Sequence, residues 1–125
     1  DIGVTWMYKF LDVSFHMHNP KFILTVRELE SWLKSNEAWD KRRGPGRLGA
    51  KFNRFHTYGV LRYDEKTFRS IYYTHNHNVT SYFQSRPKDL LILDICGGEG
   101  WEKLCPFLDK PIPTKPFPHV HKNKK

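Results

Sequence analysis

Two short apolar runs in the chain predict β-strands. Residues 21–26 (KFILTV) and residues 90–95 (LLILDI) are mostly continuous in their apolar character and do not alternate with polar positions. Continuous apolar strands are typical of parallel sheets that are covered on both faces. We therefore expect two parallel strands, with the second lying beside the first.

Apolar residues at helical spacing predict a helix on either side of the first strand. Residues 5–18 repeat large apolar side chains every three or four positions, and Asn19-Pro20 ends that pattern. Residues 28–38 show similar spacing. Each stripe is expected to face a core. The stripe of the first helix consists of Trp6, Phe10, Val13 and Met17, and that of the second of Leu29, Trp32 and Leu33.

The clearest predicted helix spans residues 65–85, and Asp64 before it is a natural N-cap. A last helix is predicted around residues 101–108, where Pro106 should kink or restart it. The stripe of the long helix that we expect to be buried consists of Phe68, Ile71, Tyr72, Val79 and Phe83.

Strands that alternate with helices favour an α/β fold with a parallel sheet. Two strands make a poor sheet, so we expect a partial three-layer unit in which helices dominate. Another polypeptide could complete that sheet. We place the α/β domain at residues 1–109 and an extended Pro/Lys-rich tail at residues 110–125. The chain opens without an initiator Met, which predicts a fragment or a processed product.

The positive charge of the chain is localised. The formal net charge is +8, and residues 34–54 hold seven basic residues against two acidic ones. The stretch after Asp109 adds five lysines and no acid. A localised basic surface predicts an anionic partner, such as a nucleotide or a polyanion. Residues 41–51 (KRRGPGRLGAK) are expected to form a basic loop, which in the simpler alternative is only a solvated surface.

The composition also bears on membrane association, cellular location and metal binding. No apolar run approaches the roughly 20 residues of a membrane span, so we expect no membrane association. Cys96 and Cys105 form no CxxC pair and no disulfide framework, which favours a cytoplasmic protein. Of three His-x-His pairs, only His119 and His121 lie in a predicted extended segment where both side chains share a face. We predict no metal site.

Arg27 is the clearest candidate for binding an anion. It follows the first strand directly, and ligands of open parallel sheets bind beyond the carboxyl ends of the strands. A guanidinium group there can hold a phosphate through two hydrogen bonds. Ser35 lies eight residues further on and could reach the same phosphate. In the structural alternative, Arg27 pairs with Glu28 or Glu30, and Ser35 is exposed at a helix end.

The stretch KFILTVRELESWLKS resembles a segment of the P-loop-fold sulfotransferases, in which a strand ends in Arg and a Ser follows eight residues later. The second half of the chain, up to GWEKLCPFLDKPIPTKPFPH, resembles the long helix, the next strand and the following phrase of that family. This resemblance implies the sulfate donor 3′-phosphoadenosine 5′-phosphosulfate, with its 3′-phosphate held by Arg27 and Ser35. It also implies sulfuryl transfer to a hydroxyl or amine of an unidentified small-molecule acceptor.

The chain departs from the family pattern at the phosphate-binding loop, and its base is assigned only by position. The chain contains no Gly-x-x-x-x-Gly-Lys-Ser/Thr loop, the type of segment that would hold the 5′-phosphate, so we expect this chain alone to be inactive. Sulfuryl transfer also needs a base that takes the proton of the acceptor. The resemblance places that role near Asp1.

The sequence leaves two other functions open. A non-catalytic, degenerate sulfotransferase-like domain would keep the fold without the transfer. A basic module could instead bind an anion or a nucleic acid through residues 41–51 and the tail. Nucleic acid is the less favoured partner, because no nucleic-acid motif is recognised and the aromatic residues are not interleaved with the basic ones.

Overall fold

A computed structural model describes residues 7–44, 46, 48, 51, 55 and 57–118. The chain has a short 3₁₀ turn at His16–His18, after the first helix, and another at Pro87–Asp89, before the second strand. The other elements, in chain order, are α1 (Met7–Phe15), β1 (Phe22–Thr25), α2 (Leu29–Arg43), α3 (Glu65–Tyr82), β2 (Leu90–Leu93) and α4 (Trp101–Leu108).

Strands β1 and β2 pair in parallel, as the sequence predicts. Phe22 lies opposite Leu90, and Thr25 lies opposite Leu93. The ladder continues past β1, because the Val26 N–H group donates to the Leu93 carbonyl at 2.9 Å. The carboxyl ends of the two strands therefore lie side by side. The architecture is mixed α/β and dominated by helices, which confirms the expected fold class.

Helix α3 packs on both core clusters of the described chain. Phe68, near its start, packs with Trp32 and Leu33 of α2. Val79, near its end, packs with Phe83 and with Leu24 of β1. The helix thus ties α2 to the sheet, which holds the segment between β1 and α2 in place.

The long helix is confirmed, but it ends earlier than predicted. The Asp64 carboxylate accepts the Thr67 N–H at 3.0 Å, and its hydrogen bond with the Thr67 hydroxyl lowers the pKa of Asp64. The helix ends at Tyr82, and the chain turns toward β2. Of the predicted stripe, Phe68, Val79 and Phe83 are buried, while Ile71 and Tyr72 are half-buried.

The predicted apolar stripe of α1 faces outward, so that expectation was wrong. Phe10, Val13 and Met17 are 60%, 68% and 81% exposed, whereas the buried residue of this helix is Asp12. The Asp12 carboxylate accepts hydrogen bonds from Arg86 at 2.9 and 2.8 Å and from the Tyr82 hydroxyl at 2.6 Å. A buried carboxylate needs such partners, and this contact turns the polar side of α1 inward. Trp6 lies outside the described residues.

We predict that Asp12→Asn lowers the free energy of unfolding by about 2–3 kcal/mol at pH 7. This is below the usual cost of breaking a buried pair, because water can reach Arg86, whose side chain is 39% exposed. The hydrogen bonds from Arg86 are the main cause that lowers the pKa of Asp12. The stabilisation is therefore complete above the ordinary Asp pKa of about 3.9 and is lost as the pH falls through the lower value of the folded state.

Urea unfolding of wild type and Asp12→Asn between pH 7 and pH 3 measures this difference. We expect the difference in the free energy of unfolding between the two proteins to become smaller toward pH 3. A gap that stays constant over that range would contradict a charged Asp12 in the folded state.

Helix α2 is longer than predicted. It continues to Arg43, so residues 41–43 belong to the helix and not to the expected loop. Three basic residues in the last turn stabilise the helix, because cations interact favourably with its C-terminal end. Gly44, with φ of 63°, then ends it. Most of the remaining predicted basic loop lies outside the described residues.

Helix α4 contains Pro106 within one uninterrupted element, which ends at Leu108. Residues 110–118 form no helix or strand, and they fold back on the start of α4. The Trp101 indole N–H donates to the Lys115 carbonyl at 2.9 Å, and its ring meets Phe117 edge-on at 4.8 Å. Residues 119–125 of the predicted tail lie outside the described part of the chain.

Candidate functional site

The candidate site lies at the carboxyl edge of the sheet. Arg27 follows β1 across one residue, and Asp94 follows β2 directly. The hydrogen bond from Val26 to Leu93 joins the two strands just before these residues. Ligands of open parallel sheets bind at this edge, so the fold places Arg27 where the sequence predicts it.

The Arg27 side chain is held by a serine. Its Nε and Nη2 atoms donate to the Ser31 Oγ at 3.0 and 2.8 Å. The Tyr72 hydroxyl donates to the Arg27 carbonyl at 2.7 Å, and burial raises the pKa of Tyr72. Helices α2 and α3 therefore each hold one part of Arg27. The guanidinium group is half-buried and keeps the rest of its donors for another partner.

The carboxylates of the structural alternative are engaged elsewhere. Glu28 accepts the N–H groups of Glu30 and Ser31 at 3.1 and 2.7 Å, which caps the start of α2. Glu30 pairs with Arg69 of α3 at 2.8 Å, and this hydrogen bond lowers the pKa of Glu30. Within the part of the chain that the structure describes, no carboxylate forms an ion pair with Arg27. The positive charge of Arg27 is thus available to an anion.

Ser35 is half-buried within α2 and does not lie at a helix end. It follows Ser31 by one helical turn, about 6 Å along the axis, so Ser31 and Ser35 lie on one side of the helix, and Arg27, which precedes the helix, contacts Ser31. The described contacts join Arg27 to Ser31 and not to Ser35. Sequence reasoning missed Ser31 and Tyr72, although the four-residue spacing from Arg27 to Ser31 could have indicated the first.

The first amide groups of α2 are used by the protein itself. Helix N-termini often bind phosphate through such groups, but here the Glu28 carboxylate already accepts two of them. Glu28 also places a negative charge beside the site. An anion at Arg27 must therefore be held by side chains, which gives the hydroxyl groups of Ser31 and Ser35 a larger share.

The loop after β2 forms the other border of the site. The Asp94 carboxylate accepts the Gly97 N–H at 2.8 Å, and Glu99 accepts the Asp94 N–H at 2.7 Å. A Cβ atom at Gly97 would lie 2.5 Å from an Asp94 carboxylate oxygen, so a larger residue there would displace this carboxylate. Cys96 is exposed in the turn. The loop is a tight turn that carries Asp94 and Glu99 and follows the strand beside Arg27.

A second basic feature lies at the end of α2. The Trp39 ring, which is 45% exposed, has the Arg42 guanidinium at 5.1 Å and the Arg43 guanidinium at 4.8 Å from its centroid. Lys41 pairs with Glu37 at 3.2 Å. This surface, with exposed guanidinium groups stacked on an aromatic ring, suits loose contact with an anionic partner.

Only some of the remaining predicted site residues lie within the described part of the chain. Asp1, the candidate base, lies outside the described residues, as do His119 and His121. His75 is half-buried on α3, and burial lowers the pKa of its imidazole, while His77 is exposed. Across the described ranges, no group of three or more metal-ligating side chains occurs. No helix within those ranges is long and apolar enough to cross a membrane.

The family follows from comparison with known proteins. The family model named sulfotransferase domain matches the sequence of residues 16–125, a range that includes β1, Arg27 and Ser35. The chain therefore belongs to the sulfotransferase family. Members of this family in general take their sulfuryl group from 3′-phosphoadenosine 5′-phosphosulfate.

One curated relative is Ava biosynthesis cluster protein M from Aspergillus versicolor. It is 53% identical over 34 residues, which are 27% of this chain and 13% of the relative. The chain thus matches about an eighth of the length of that protein. No solved structure matches the chain significantly.

Proposed function

We propose that this chain binds the donor nucleotide of a sulfotransferase, 3′-phosphoadenosine 5′-phosphosulfate, by its 3′-phosphate. Arg27 supplies the charge for this contact, and Ser35 assists. The full reaction moves the sulfuryl group of the donor to a hydroxyl or amine of a small-molecule acceptor. The cytoplasmic setting expected from the sequence belongs to the same proposal.

The proposal depends on the position of Arg27 and on its lack of a described carboxylate partner. Its guanidinium group lies at the carboxyl edge of the sheet, is half-buried, and has a neutral hydroxyl as its described partner. A partly desolvated cation without a paired carboxylate favours an anionic ligand. The donor set of one guanidinium and two hydroxyl groups along α2 fits a phosphate, and the neighbouring Glu28 requires that the phosphate be bound by side chains.

When bound, the donor supplies the sulfuryl group, and the described residues act on the nucleotide end. Arg27 binds the 3′-phosphate and orients the nucleotide across the edge of the sheet. Tyr72 holds the backbone of Arg27 through the carbonyl and keeps that segment in register with α3. The chain has no recognised loop for the 5′-phosphate, so we propose that it does not turn over the donor alone. Asp1 remains the proposed base.

The sheet also supports a proposal about a partner. Ile23 and Ile92 are exposed although they belong to the two strands. Parallel sheets are normally covered on both faces and contain more than two strands. We propose that a further polypeptide segment completes the sheet of the active enzyme.

A basic surface that binds any polyanion is the second candidate function. The stacking of Arg42 and Arg43 on Trp39 favours it. Such binding would depend on total charge and on salt, and it would not depend on where a phosphate is attached to the ribose. This difference separates the two functions.

The test compares two nucleotides of equal charge, adenosine 3′,5′-bisphosphate and adenosine 2′,5′-bisphosphate, by NMR titration of the 125-residue chain. We expect the 3′,5′ isomer to bind about tenfold more tightly, which corresponds to one charge-assisted phosphate contact. The largest shift changes should occur at Arg27 and along α2. Equal affinity for both isomers, with shift changes around Trp39, would instead support the polyanion function.

A further inference from the structure

The Ser31 hydroxyl has an unusual set of contacts for a helical serine. Its oxygen accepts two hydrogen bonds from Arg27, and a hydroxyl has only two lone pairs and one proton. Both lone pairs are therefore engaged, and the proton is left to be donated. Serine is small and half-buried at this position, so the hydroxyl is held close to the guanidinium.

The backbone carbonyls one turn before Ser31 each accept another hydrogen bond. A serine within a helix commonly donates to the carbonyl four residues earlier, which for Ser31 is that of Arg27. That carbonyl accepts the Tyr72 hydroxyl at 2.7 Å, and no hydrogen bond from Ser31 to its second lone pair is described. The carbonyl three residues earlier, that of Glu28, accepts the Trp32 N–H at 2.9 Å. Among the described residues, Ser31 Oγ donates to no acceptor.

We propose that Ser31 is a third member of the 3′-phosphate site. It orients the fork of Arg27 through the two accepted hydrogen bonds, and it donates its own proton to a phosphate oxygen. This inference rests on the proposed function, because it assigns a role at the same phosphate. It adds a residue that neither the Arg27–Ser35 spacing nor the family comparison indicates.

The geometry of α2 places Ser31 between the other two members. Ser31 and Ser35 are one turn apart, about 6 Å along the axis, and two hydrogen bonds of about 2.7 Å placed end to end span most of this distance. One phosphate can therefore meet both hydroxyl groups. Ser31 uses the Nε–Nη2 edge of Arg27, which leaves the N–H groups of Nη1 and one of Nη2 to face the phosphate.

The Ser31 hydroxyl also supplies a hydrogen-bond donor in place of the backbone N–H group that Glu28 occupies. The Glu28 carboxylate accepts the Ser31 N–H at 2.7 Å, so the backbone of this residue cannot bind the anion. The side chain points its oxygen at Arg27 instead. A neutral donor is favourable there, since it adds a hydrogen bond to the phosphate without needing the backbone amides of the helix.

The experiment measures the isomer preference, defined as the affinity for adenosine 3′,5′-bisphosphate divided by that for the 2′,5′ isomer. We compare wild type with Ser31→Ala, Ser31→Cys and Ser31→Thr. Ala removes the hydroxyl, Cys keeps the size but donates weakly, and Thr keeps the hydroxyl. Ser70→Ala is the matched control, because Ser70 is exposed on α3 and has no described hydrogen bond with Arg27, Ser31 or Ser35.

We expect Ser31→Ala and Ser31→Cys to lose about three- to fourfold of the roughly tenfold preference, because Arg27 and Ser35 remain, with affinity for adenosine 5′-monophosphate unchanged. Ser31→Thr and Ser70→Ala should stay within about 1.5-fold of wild type. The Arg27 Nε–H signal in an arginine-labelled sample should exchange more quickly with solvent in the Ala variant than in wild type and Thr. This signal reports the orienting contact independently of binding.

Other outcomes would overturn the proposal in distinguishable ways. A Ser31→Ala protein that keeps the full isomer preference would show that Ser31 takes no part, while the role of Arg27 would stand. A loss of affinity that is equal for all three nucleotides would mark Ser31 as structural only. If wild type has no isomer preference, the proposed function itself fails, and the role of Ser31 fails with it.

Discussion

Phe83→Ala is expected to lower the free energy of unfolding by about 3–5 kcal/mol, which is the usual cost of removing a buried phenylalanine ring. Phe83 is 1% exposed at the end of α3. Its ring packs against Phe22 at 5.0 Å and against Tyr82 at 5.0 Å, so it joins the long helix to β1. The loss in stability has two parts: the favourable free energy of burying the ring, which the variant no longer gains, and the cost of the cavity left between these elements.

Urea unfolding of the chain measures this loss, with Phe10→Ala as the matched control. Phe10 is 60% exposed on α1, so its removal should cost less than about 0.5 kcal/mol. A loss below about 1 kcal/mol for Phe83→Ala would contradict the described core. An equal loss for both variants would mean that the face of α1 that carries Phe10 is covered in solution.

Arg27→Ala should weaken binding of the 3′-phosphorylated nucleotide by about 1.5–3 kcal/mol, or roughly 10- to 150-fold. The phosphate loses its cation in a half-buried place, and Glu28 remains beside it. Ser35→Ala should weaken binding by about 0.5–1.5 kcal/mol, because a neutral hydroxyl forms a weaker bond. Calorimetry or NMR titration measures both changes.

Two further variants control for charge. Arg27→Lys keeps the charge and loses the planar fork, so it should recover only part of the affinity. Arg42→Ala removes one positive charge from the exposed end of α2 and should change the affinity less than twofold if that surface is separate from the site. An Arg42→Ala effect as large as that of Arg27→Ala would favour general attraction to a basic surface.

The strands and their direction could be predicted because local pattern and pairing agree. Continuous apolar runs such as those around Leu24 and Leu93 suit buried parallel strands, and both residues are buried. The N-cap Asp64 likewise marked the start of α3. The end of α3 was missed because Phe83 continues the helical spacing while the chain already turns toward β2.

The face of α1 could not be predicted because its determinant is distant in sequence. Apolar spacing at Phe10 and Val13 indicated that face as the inner one. The structure turns Asp12 inward instead, because Arg86 supplies two hydrogen bonds from a position 74 residues away. Spacing within one helix contains no information about such a partner.

The candidate site was predictable in its location but not in its contacts. A strand that ends before Arg27 placed the guanidinium at the sheet edge, and the structure has it there. The partner of Arg27 depends on which carboxylates are taken by other groups. Glu28 caps its own helix and Glu30 pairs with Arg69, so the hydroxyl of Ser31 becomes the partner. The sequence shows the serine, but it does not show where these carboxylates go.

The most direct test of the account is a cycle of two proteins and two nucleotides. Calorimetry would compare wild type and Arg27→Ala, each with adenosine 3′,5′-bisphosphate and with adenosine 5′-monophosphate. We predict that wild type gains about tenfold or more in affinity from the 3′-phosphate and that Arg27→Ala loses most of that gain, with little change in affinity for the monophosphate. If Arg27→Ala weakened both nucleotides equally, Arg27 would not bind the 3′-phosphate, and the central claim would be wrong.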